Sequence, residues 1–205
     1  MLELYTYGAA NGQRVSIMLE ECGLPYRAHK VDLAKGEQKA AAFRALNPAG
    51  QIPVLVDPDG PGGARLVLTQ SAVILLHLAE RTGRFLPTAP AARLDALAAL
   101  MAVMTDIAAT SGALFHASTA TAEPVPAVVA SFEQRLLRFL GDMDRRLADA
   151  EFLAGAPSIA DFALYPTVAT RKALIERTGG LDHLRRWTAL MAAREGVARG
   201  MAVPA

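Results

Sequence analysis

Residues 2–23 have the sequence LELYTYGAANGQRVSIMLEECG, in which three structural signals follow one another. The first six residues alternate in character and are rich in strand formers, which predicts a β-strand. A glycine-punctuated turn comes next. Apolar residues then recur at i, i+3, i+4 and i+7 from Val15, the spacing of one helix face, and the pattern stops at Gly23. The stretch therefore predicts a strand, a turn and a helix that buries one face.

Strand and helix signals continue to alternate up to about residue 83. Short runs of strand formers and amphipathic patterns bounded by Gly, Pro or Asn predict the elements. They are a strand at 26–31, a helix at 37–46, strands at 52–56 and 66–69, and a helix at 71–81. The predicted order of this first part is βαβαββα.

Strand signals disappear after Gly83. A Pro-containing linker at 85–90 is followed by four helical patterns, at 94–104, 125–147, 159–174 and 184–194. The predicted fold class is therefore α+β, with a mixed domain at 1–83 and an all-helical domain at 91–205.

The composition excludes several classes of protein. The chain has 205 residues, of which 52% are hydrophobic and 20% charged, so we expect a globular protein rather than a disordered one. Lys plus Arg number 21 and Asp plus Glu number 20, a net charge of +1. Because neither half of the chain is basic, we expect no nucleic-acid partner held through phosphate contacts.

A single cysteine, Cys22, excludes an internal disulfide and a cysteine-based metal cluster, and the four histidines are scattered. We therefore expect no metal. No continuous apolar run approaches the roughly 18 residues of a membrane span, so we expect no membrane association. The start carries Glu3 where a signal peptide would be basic or apolar. These features favour the reducing cytoplasm.

Five motifs stand in order along the chain. They are NGQRV at 11–15, VDLAKGEQ at 31–38, NPAGQIPVL at 47–55, QS at 70–71 and SIAD at 158–161. In this order and at these spacings they resemble the cytosolic glutathione transferases over essentially the whole chain, most closely the bacterial nu-class-like branch. The resemblance implies a thioredoxin-like βαβαββα domain followed by an all-α domain, with glutathione as co-substrate.

The motif at 47–55 contains Ile52-Pro53, which resembles the family's cis-proline site. X–Pro bonds are the peptide bonds that adopt the cis form at small cost, although an X–Pro pair alone could equally begin a strand. The resemblance implies that the backbone N–H and C=O of Ile52 pair with the cysteinyl backbone of glutathione, like an added strand. It also implies that Gln38 reaches the glycyl end, where Gln51 or Lys35 can add a contact.

Ser71 lies at the predicted start of a helix, where free N–H groups and the positive dipole end favour an anion. The resemblance implies that this site binds the γ-glutamyl carboxylate; an ordinary N-cap serine is the alternative. Gln70 stands where the family more often has an acid, so it can hydrogen-bond the ammonium without a charge pair. The arginine that family members extend from the second domain corresponds to Ser131 here.

The resemblance implies that the partner of the glutathione sulfur is Asn11 or Tyr7, and Thr6 offers a further hydroxyl. The nu-class pattern reads Thr-Pro-Asn, and here Ala9 and Ala10 precede Asn11, so the threonine hydroxyl is missing. Donors near a thiolate lower its pKa, and Asn11 retains one. Tyr7 has the spacing of the catalytic tyrosine in the tyrosine-type classes, but it shares a strand face with Tyr5, and both can pack in the core.

The resemblance predicts thiolate attack on an electrophile, or thiol–disulfide exchange, with a small apolar or disulfide second substrate. A non-catalytic glutathione- or ligand-binding protein is the alternative, motivated by the two alanines. An isomerase of the maleylacetoacetate type would carry a serine at the first helix start, which is absent. The resemblance also implies a homodimer, with contacts from the loop at 57–63 and the helix at 94–104. The serine and aspartate of the motif at 158–161 are expected to cap a helix and not to bind a ligand.

Overall fold

The structure is a computed structural model that describes residues 1–204, and these form two compact units. The first unit comprises residues 1–84 together with 192–204, and the second comprises Phe85–Met191. The second unit therefore ends before the C-terminal end of the helical domain expected at 91–205. The last helix of the chain belongs to the first unit instead.

A four-stranded sheet forms the centre of the first unit. Its strands are β1 (Leu2–Thr6), β2 (Tyr26–Lys30), β3 (Val54–Asp57) and β4 (Leu66–Thr69). The spatial order is β2-β1-β3-β4, with β1 parallel to β2 and β3 antiparallel to both of its neighbours. With the three helices given next, this is the predicted thioredoxin-like βαβαββα arrangement, which is confirmed.

Three helices connect and follow these strands. They are α1 (Ala10–Cys22), α2 (Ala41–Leu46) and α3 (Ser71–Thr82). The apolar face of α1 is buried as its periodicity predicts, and the helix ends at Gly23 with φ 67°, a left-handed conformation that suits glycine. The helix expected at 37–46 is divided. A 3-10 turn covers Glu37–Lys39, and Ala40 is extended, so α2 begins only at Ala41.

The second unit is all-helical, as predicted. Its helices are α4 (Pro90–Ala102), α5 (Ala109–Phe115), α6 (Pro126–Arg146), α7 (Ile159–Thr170), α8 (Lys172–Thr178) and α9 (Asp182–Ala192). Wider π-helical turns at Val103–Ala108 and His116–Ala120 continue α4 and α5 into one long helix, Pro90–Ala120.

This long helix corrects the expectation that nothing in the chain approaches a membrane span. Pro90–Ala120 has 31 residues, and the mean hydropathy of its most apolar stretch is 1.6, with 33% of that stretch buried. No unbroken apolar run of this length exists in the sequence, because polar residues such as Thr105 and Asp106 interrupt the helix. Among residues 1–204 it is the one helix long and apolar enough to cross a membrane, a criterion that core helices of soluble proteins also meet.

The start of α7 carries the capping box predicted from the sequence. Ser158 Oγ accepts a hydrogen bond from the backbone N–H of Ala160, and the Asp161 carboxylate accepts one from the backbone N–H of Ser158. Asp161 also accepts from the backbone N–H of Leu153 at 3.0 Å and from the indole N–H of Trp187 at 2.8 Å. This buried carboxylate therefore ties the start of α7 to α9.

A last helix, α10 (Glu195–Met201), packs against α1 within the first unit. A Cβ atom on Gly200 would lie 2.4 Å from the Cα of Ile17, so only glycine permits this approach. Ser16 Oγ donates to the carbonyl of Gly200 at 2.7 Å. Two ion pairs flank the contact, Arg194–Glu21 at 2.6 Å and Arg199–Glu20 at 2.8 Å.

Candidate functional site

Three strand ends meet at one edge of the sheet. Tyr5 of β1 lies opposite Val54 of β3, and Val54 lies opposite Thr69 of β4. Because β3 is antiparallel to both neighbours, the end of β1, the beginning of β3 and the end of β4 lie at the same edge. The segments that follow β1, precede β3 and follow β4 therefore leave the sheet side by side. These segments are residues 7–11, 51–53 and 70–71, which contain all of the predicted site residues except Gln38.

Gly12 allows α1 to start close to the end of β1. A Cβ atom at this position would lie 2.2 Å from the Oγ1 of Thr6 and 2.6 Å from the carbonyl oxygen of Tyr7. Any side chain would push the helix away from the strand. The glycine therefore holds Asn11, the residue before it, at the sheet edge.

A buried arginine joins the starts of α1 and α3. Arg14 is 1% exposed; its Nη1 donates to the Oδ1 of Asn11 and lies 3.5 Å from the Oγ of Ser71. Burial lowers the pKa of Arg14 to about 10, so the guanidinium stays protonated at neutral pH. Asn11 itself is exposed. With its oxygen held by Arg14, the amide NH₂ is the donor that it offers to a ligand.

Both helix starts at this edge have backbone N–H groups directed at the site. Within the part of the chain that the structure describes, neither Ala9 before α1 nor Gln70 before α3 caps its helix with a side chain. Gln70 has φ 68° and ψ 109°, a conformation that costs a non-glycine residue about 1–3 kcal/mol. The N–H groups of a first helical turn lack acceptors within the helix, which makes this edge suited to anions.

The Ile52–Pro53 peptide bond is cis, as predicted. The β3 ladder begins two residues later, so the backbone of Ile52 lies outside the sheet pairing. The preceding loop is held by buried Asn47, whose Nδ2 donates to the carbonyl of Gln51 at 2.6 Å and whose Oδ1 accepts from the N–H of Ala49 at 3.2 Å.

Gln38 lies beside this loop. Gly50, with φ 64°, approaches it so closely that a Cβ atom would lie 3.0 Å from the carbonyl oxygen of Gln38. The Oε1 of Gln38 is buried, and no described residue donates a hydrogen bond to it. Gln51 is exposed, whereas Lys35 extends to within 3.8 Å of Asp32.

Tyr7 differs from Asn11 in its surroundings. It is half-buried, and with Tyr5 it packs against a cluster of buried apolar side chains that includes Phe43 and Ile52. Both rings therefore pack against the core, as the sequence allowed. Asn11, by contrast, is exposed at the first turn of α1. The choice between them as sulfur partner stays a prediction that favours Asn11.

Two residues of this site, Arg14 and Asn47, have roles that the sequence motifs do not predict. Arg14 follows Asn11 by three positions and precedes the apolar residues Ile17 and Met18 by three and four, the spacings of neighbours on a helix. A cation in such a setting is a recognisable signal. Asn47 precedes a proline, which marks a turn but does not reveal which carbonyl the side chain will hold.

Comparison with known proteins identifies the family. A model of the N-terminal domain of glutathione S-transferases matches residues 10–81. The disulfide-bond oxidoreductase YfcG of Escherichia coli (strain K12) is 34% identical over 170 residues, 82% of this chain and 79% of that protein. YghU, a disulfide-bond oxidoreductase of the same organism, is 31% identical over 98% of this chain and 74% of that protein. The chain belongs to the cytosolic glutathione transferase family, as predicted.

Solved structures agree with this assignment. A glutathione transferase from Pseudomonas putida, with one glutathione disulfide bound per subunit, superposes with a TM-score of 0.93 at 33% identity and covers 100% of this chain and 92% of that one. A glutathione transferase from Burkholderia graminis, with two glutathione molecules bound per subunit, gives 0.93 at 34% identity, over 99% and 88% of the two chains.

Proposed function

We propose that this protein binds glutathione at the edge where β1, β3 and β4 end, and lowers the pKa of its thiol. The thiolate then attacks an electrophile or exchanges with a disulfide. The observation that carries the proposal is the convergence there of two helix starts without side-chain caps, the cis Ile52–Pro53 bond and the Asn11–Arg14–Ser71 contacts. We place the protein nearest the nu-class-like branch.

The γ-glutamyl end of glutathione binds at the start of α3. Its carboxylate accepts hydrogen bonds from first-turn N–H groups and from the hydroxyl of buried Ser71. The Gln70 side chain is exposed beside it and accepts from the ammonium. The left-handed backbone of Gln70 fixes the direction in which the chain enters the helix, which supports a binding role for this strained residue.

The rest of the tripeptide runs along the cis-proline loop. The free backbone groups of Ile52 pair with the cysteinyl residue, and Pro53 keeps them outside the ladder. The glycyl peptide N–H supplies the donor that the buried Oε1 of Gln38 lacks among the described residues. Gln51 adds a contact from the solvent side.

The sulfur then lies at the start of α1, where the Asn11 amide and backbone N–H groups stabilise the thiolate. Disulfide exchange is supported by the two relatives named as disulfide-bond oxidoreductases and by the neighbour with bound glutathione disulfide. Conjugation to a small apolar electrophile uses the same thiolate.

One feature favours a second candidate function, a non-catalytic glutathione- or ligand-binding protein. Ala9 and Ala10 remove the hydroxyl that the nu-class pattern places near the sulfur. A donor aimed at the thiolate contributes little to binding the neutral thiol, so its loss lowers turnover more than affinity.

Two measurements on the wild-type protein separate the candidates. Calorimetry gives the affinity for glutathione, and the ultraviolet absorbance of the bound thiolate, followed against pH, gives the thiol pKa. Turnover is then assayed with a generic aryl halide and with a small disulfide. A lowered pKa with turnover of either substrate supports the enzyme. Binding with an unchanged pKa and no turnover supports the carrier, and no binding at millimolar glutathione contradicts both.

We also propose a homodimer that buries part of the long helix. Leu94 and Met101 are 68% and 46% exposed, large apolar side chains that a second copy would cover. Sedimentation at micromolar concentration should give a dimer of 21.7 kDa chains. A monomer at that concentration contradicts the proposal.

The proposed location is the cytoplasm, where glutathione is kept largely reduced. If instead Pro90–Ala120 crossed a bilayer, the protein would stay in the membrane pellet after a carbonate wash of fractionated cells. Recovery in the supernatant is the expected result.

A further inference from the structure

The buried cation of Arg14 touches both ends of the proposed glutathione site. It lies one helical turn after Asn11 on α1 and reaches Ser71 on α3, 57 residues further along the chain. Its guanidinium therefore contacts the side chains of both proposed donors. Its position points to a role in arranging the site.

The contact with Asn11 fixes which end of the amide faces the ligand. An asparagine amide can rotate by half a turn and present either its oxygen or its NH₂. Because the guanidinium donates to Oδ1, the NH₂ is directed away from Arg14. An oxygen turned toward a thiolate would repel it, whereas the NH₂ stabilises it.

The same guanidinium lies 3.5 Å from the Ser71 hydroxyl. A hydroxyl both donates and accepts, so a cation on its lone-pair side directs the hydrogen outward. Directed this way, the hydroxyl is ready to donate to a carboxylate. One buried side chain therefore orients the donor at the sulfur end and the donor at the γ-glutamyl end.

We propose that Arg14 is a positioning residue that orients the Asn11 amide for the thiolate and the Ser71 hydroxyl for the γ-glutamyl carboxylate. The proposal rests on the proposed glutathione site. It does not make Arg14 a catalytic residue, because the side chain is buried behind the two donors and acts through them.

Arg14→Lys tests the proposal because it keeps the charge and removes the planar fork that holds Oδ1. The expected result is a rise in the pKa of bound glutathione by about half a unit to one unit, with affinity lowered about threefold to tenfold. The rate should fall about tenfold at low pH and recover at high pH, where the thiolate forms without help. A uniform loss of rate at every pH overturns the proposal.

Ser16→Ala is the matched control. Ser16 is also a buried polar residue of α1, but its hydroxyl donates to Gly200 on α10. Its removal should lower the melting temperature and leave the thiol pKa of bound glutathione unchanged. A shift in the Ser16→Ala variant as large as that in Arg14→Lys means that general loosening of α1 causes it, and it overturns the proposal.

A double-mutant cycle tests whether Arg14 acts through Asn11. In an Asn11→Ala background, Arg14→Lys should no longer raise the thiol pKa by the full amount. The same shift in both backgrounds overturns the proposal, because residue 14 then acts on the thiol by a route that does not pass through Asn11. Failure of the proposed function is distinguishable, since wild type itself would then bind no glutathione.

If Arg14→Lys does not fold, the contact is tested from the other side. Asn11→Asp keeps an oxygen for the guanidinium, and Asn11→Leu removes it. The Asp variant should melt at a higher temperature than the Leu variant. Equal melting temperatures mean that Arg14 does not hold residue 11, which overturns the proposal.

Discussion

Ser71 and Ser158 are both buried serines at helix starts, yet their surroundings differ. At α7, Ser158 and Asp161 satisfy each other's backbone groups, and Asp161 binds two further donors. At α3, the residue before the helix is strained, and the only hydrogen-bond partner of the Ser71 hydroxyl among those described is Arg14, at 3.5 Å. The closed start serves folding, and the open start is suited to a ligand.

The largest expected effect comes from opening the closed helix start. Asp161→Ala leaves the buried donors of Leu153, Ser158 and Trp187 without an acceptor, so stability should fall by about 3 kcal/mol or more. Trp187 is the single tryptophan, and its fluorescence during urea unfolding reports on this unit. A midpoint equal to that of wild type would contradict the role of Asp161.

The next effect concerns the start of α1. Asn11→Ala should raise the pKa of bound glutathione and lower turnover by about tenfold or more, a loss of roughly 1.4 kcal/mol of transition-state stabilisation. Affinity for glutathione should change much less. Stopped-flow kinetics measure the turnover, and the thiolate absorbance followed against pH measures the pKa.

Tyr7→Phe is the control for this prediction, because it removes one hydroxyl and keeps the ring that packs against the apolar cluster. A collapse of the rate in Tyr7→Phe with an intact rate in Asn11→Ala identifies a tyrosine-type enzyme. If neither variant alters the thiolate absorbance, backbone N–H groups and the helix dipole activate the sulfur alone.

The two serines make a matched pair. Ser71→Ala should weaken glutathione binding by about 1–2 kcal/mol, the usual contribution of a hydrogen bond to a charged group, with a smaller loss of stability. Ser158→Ala should do the reverse, lowering stability by about 1 kcal/mol and leaving affinity unchanged. Calorimetry and thermal unfolding of both variants check this, and equal effects on affinity would remove the distinction between open and closed starts.

The smallest effect is expected for Asp57, a buried aspartate of the first unit. Burial alone would raise its pKa, but hydrogen bonds from His77, the backbone of Asp59 and Arg81 outweigh burial, and the net shift is downward. A lowered pKa means that the ionised form stabilises the fold. This contribution is complete above the unfolded pKa of about 3.9 and is lost as the pH falls through the lower folded value.

Melting temperatures of wild type and Asp57→Asn between pH 2 and pH 6 test this sign. Wild type should be more stable than the variant near pH 6, and the difference should shrink toward pH 2. Asp161 is the opposite case, since burial raises its pKa despite the hydrogen bonds that it accepts. A difference for Asp57→Asn that grows toward acid would show that its shift has the wrong sign.

Local signals in the sequence were sufficient for most of the fold. Period-two and helical patterns predicted the four strands and the three helices of the βαβαββα unit, and the serine and aspartate three residues apart predicted the capped start of α7. The site was predicted from motifs rather than from physics, and the roles of its residues stay predictions. The cis bond at Ile52–Pro53 is the part of it that the structure confirms.

The features that the sequence did not predict depend on contacts between residues that are far apart in the chain. The contact between Arg14 and Ser71 joins residues far apart in the chain, and no local pattern encodes it. The last helix, α10, was not predicted at all. It contains Gly196 and Gly200, which disfavour helix formation by about 1 kcal/mol each, yet a Cβ at either would meet α1 at less than 3 Å. The glycines that weaken the helical pattern in the sequence are the residues that let α10 pack against α1.

The return of α10 to α1 has a consequence for synthesis of the chain on the ribosome. Domains generally fold as units, N-terminal first, as the polypeptide emerges. Here the helix that carries Asn11 and Arg14 is covered by residues 195–201, which are translated after the entire second unit. The first unit therefore cannot complete its packing until the helices that follow it have been made. During that interval the apolar side chain of Ile17, which is fully buried in the folded protein, lacks its cover from α10 and is open to binding by a chaperone.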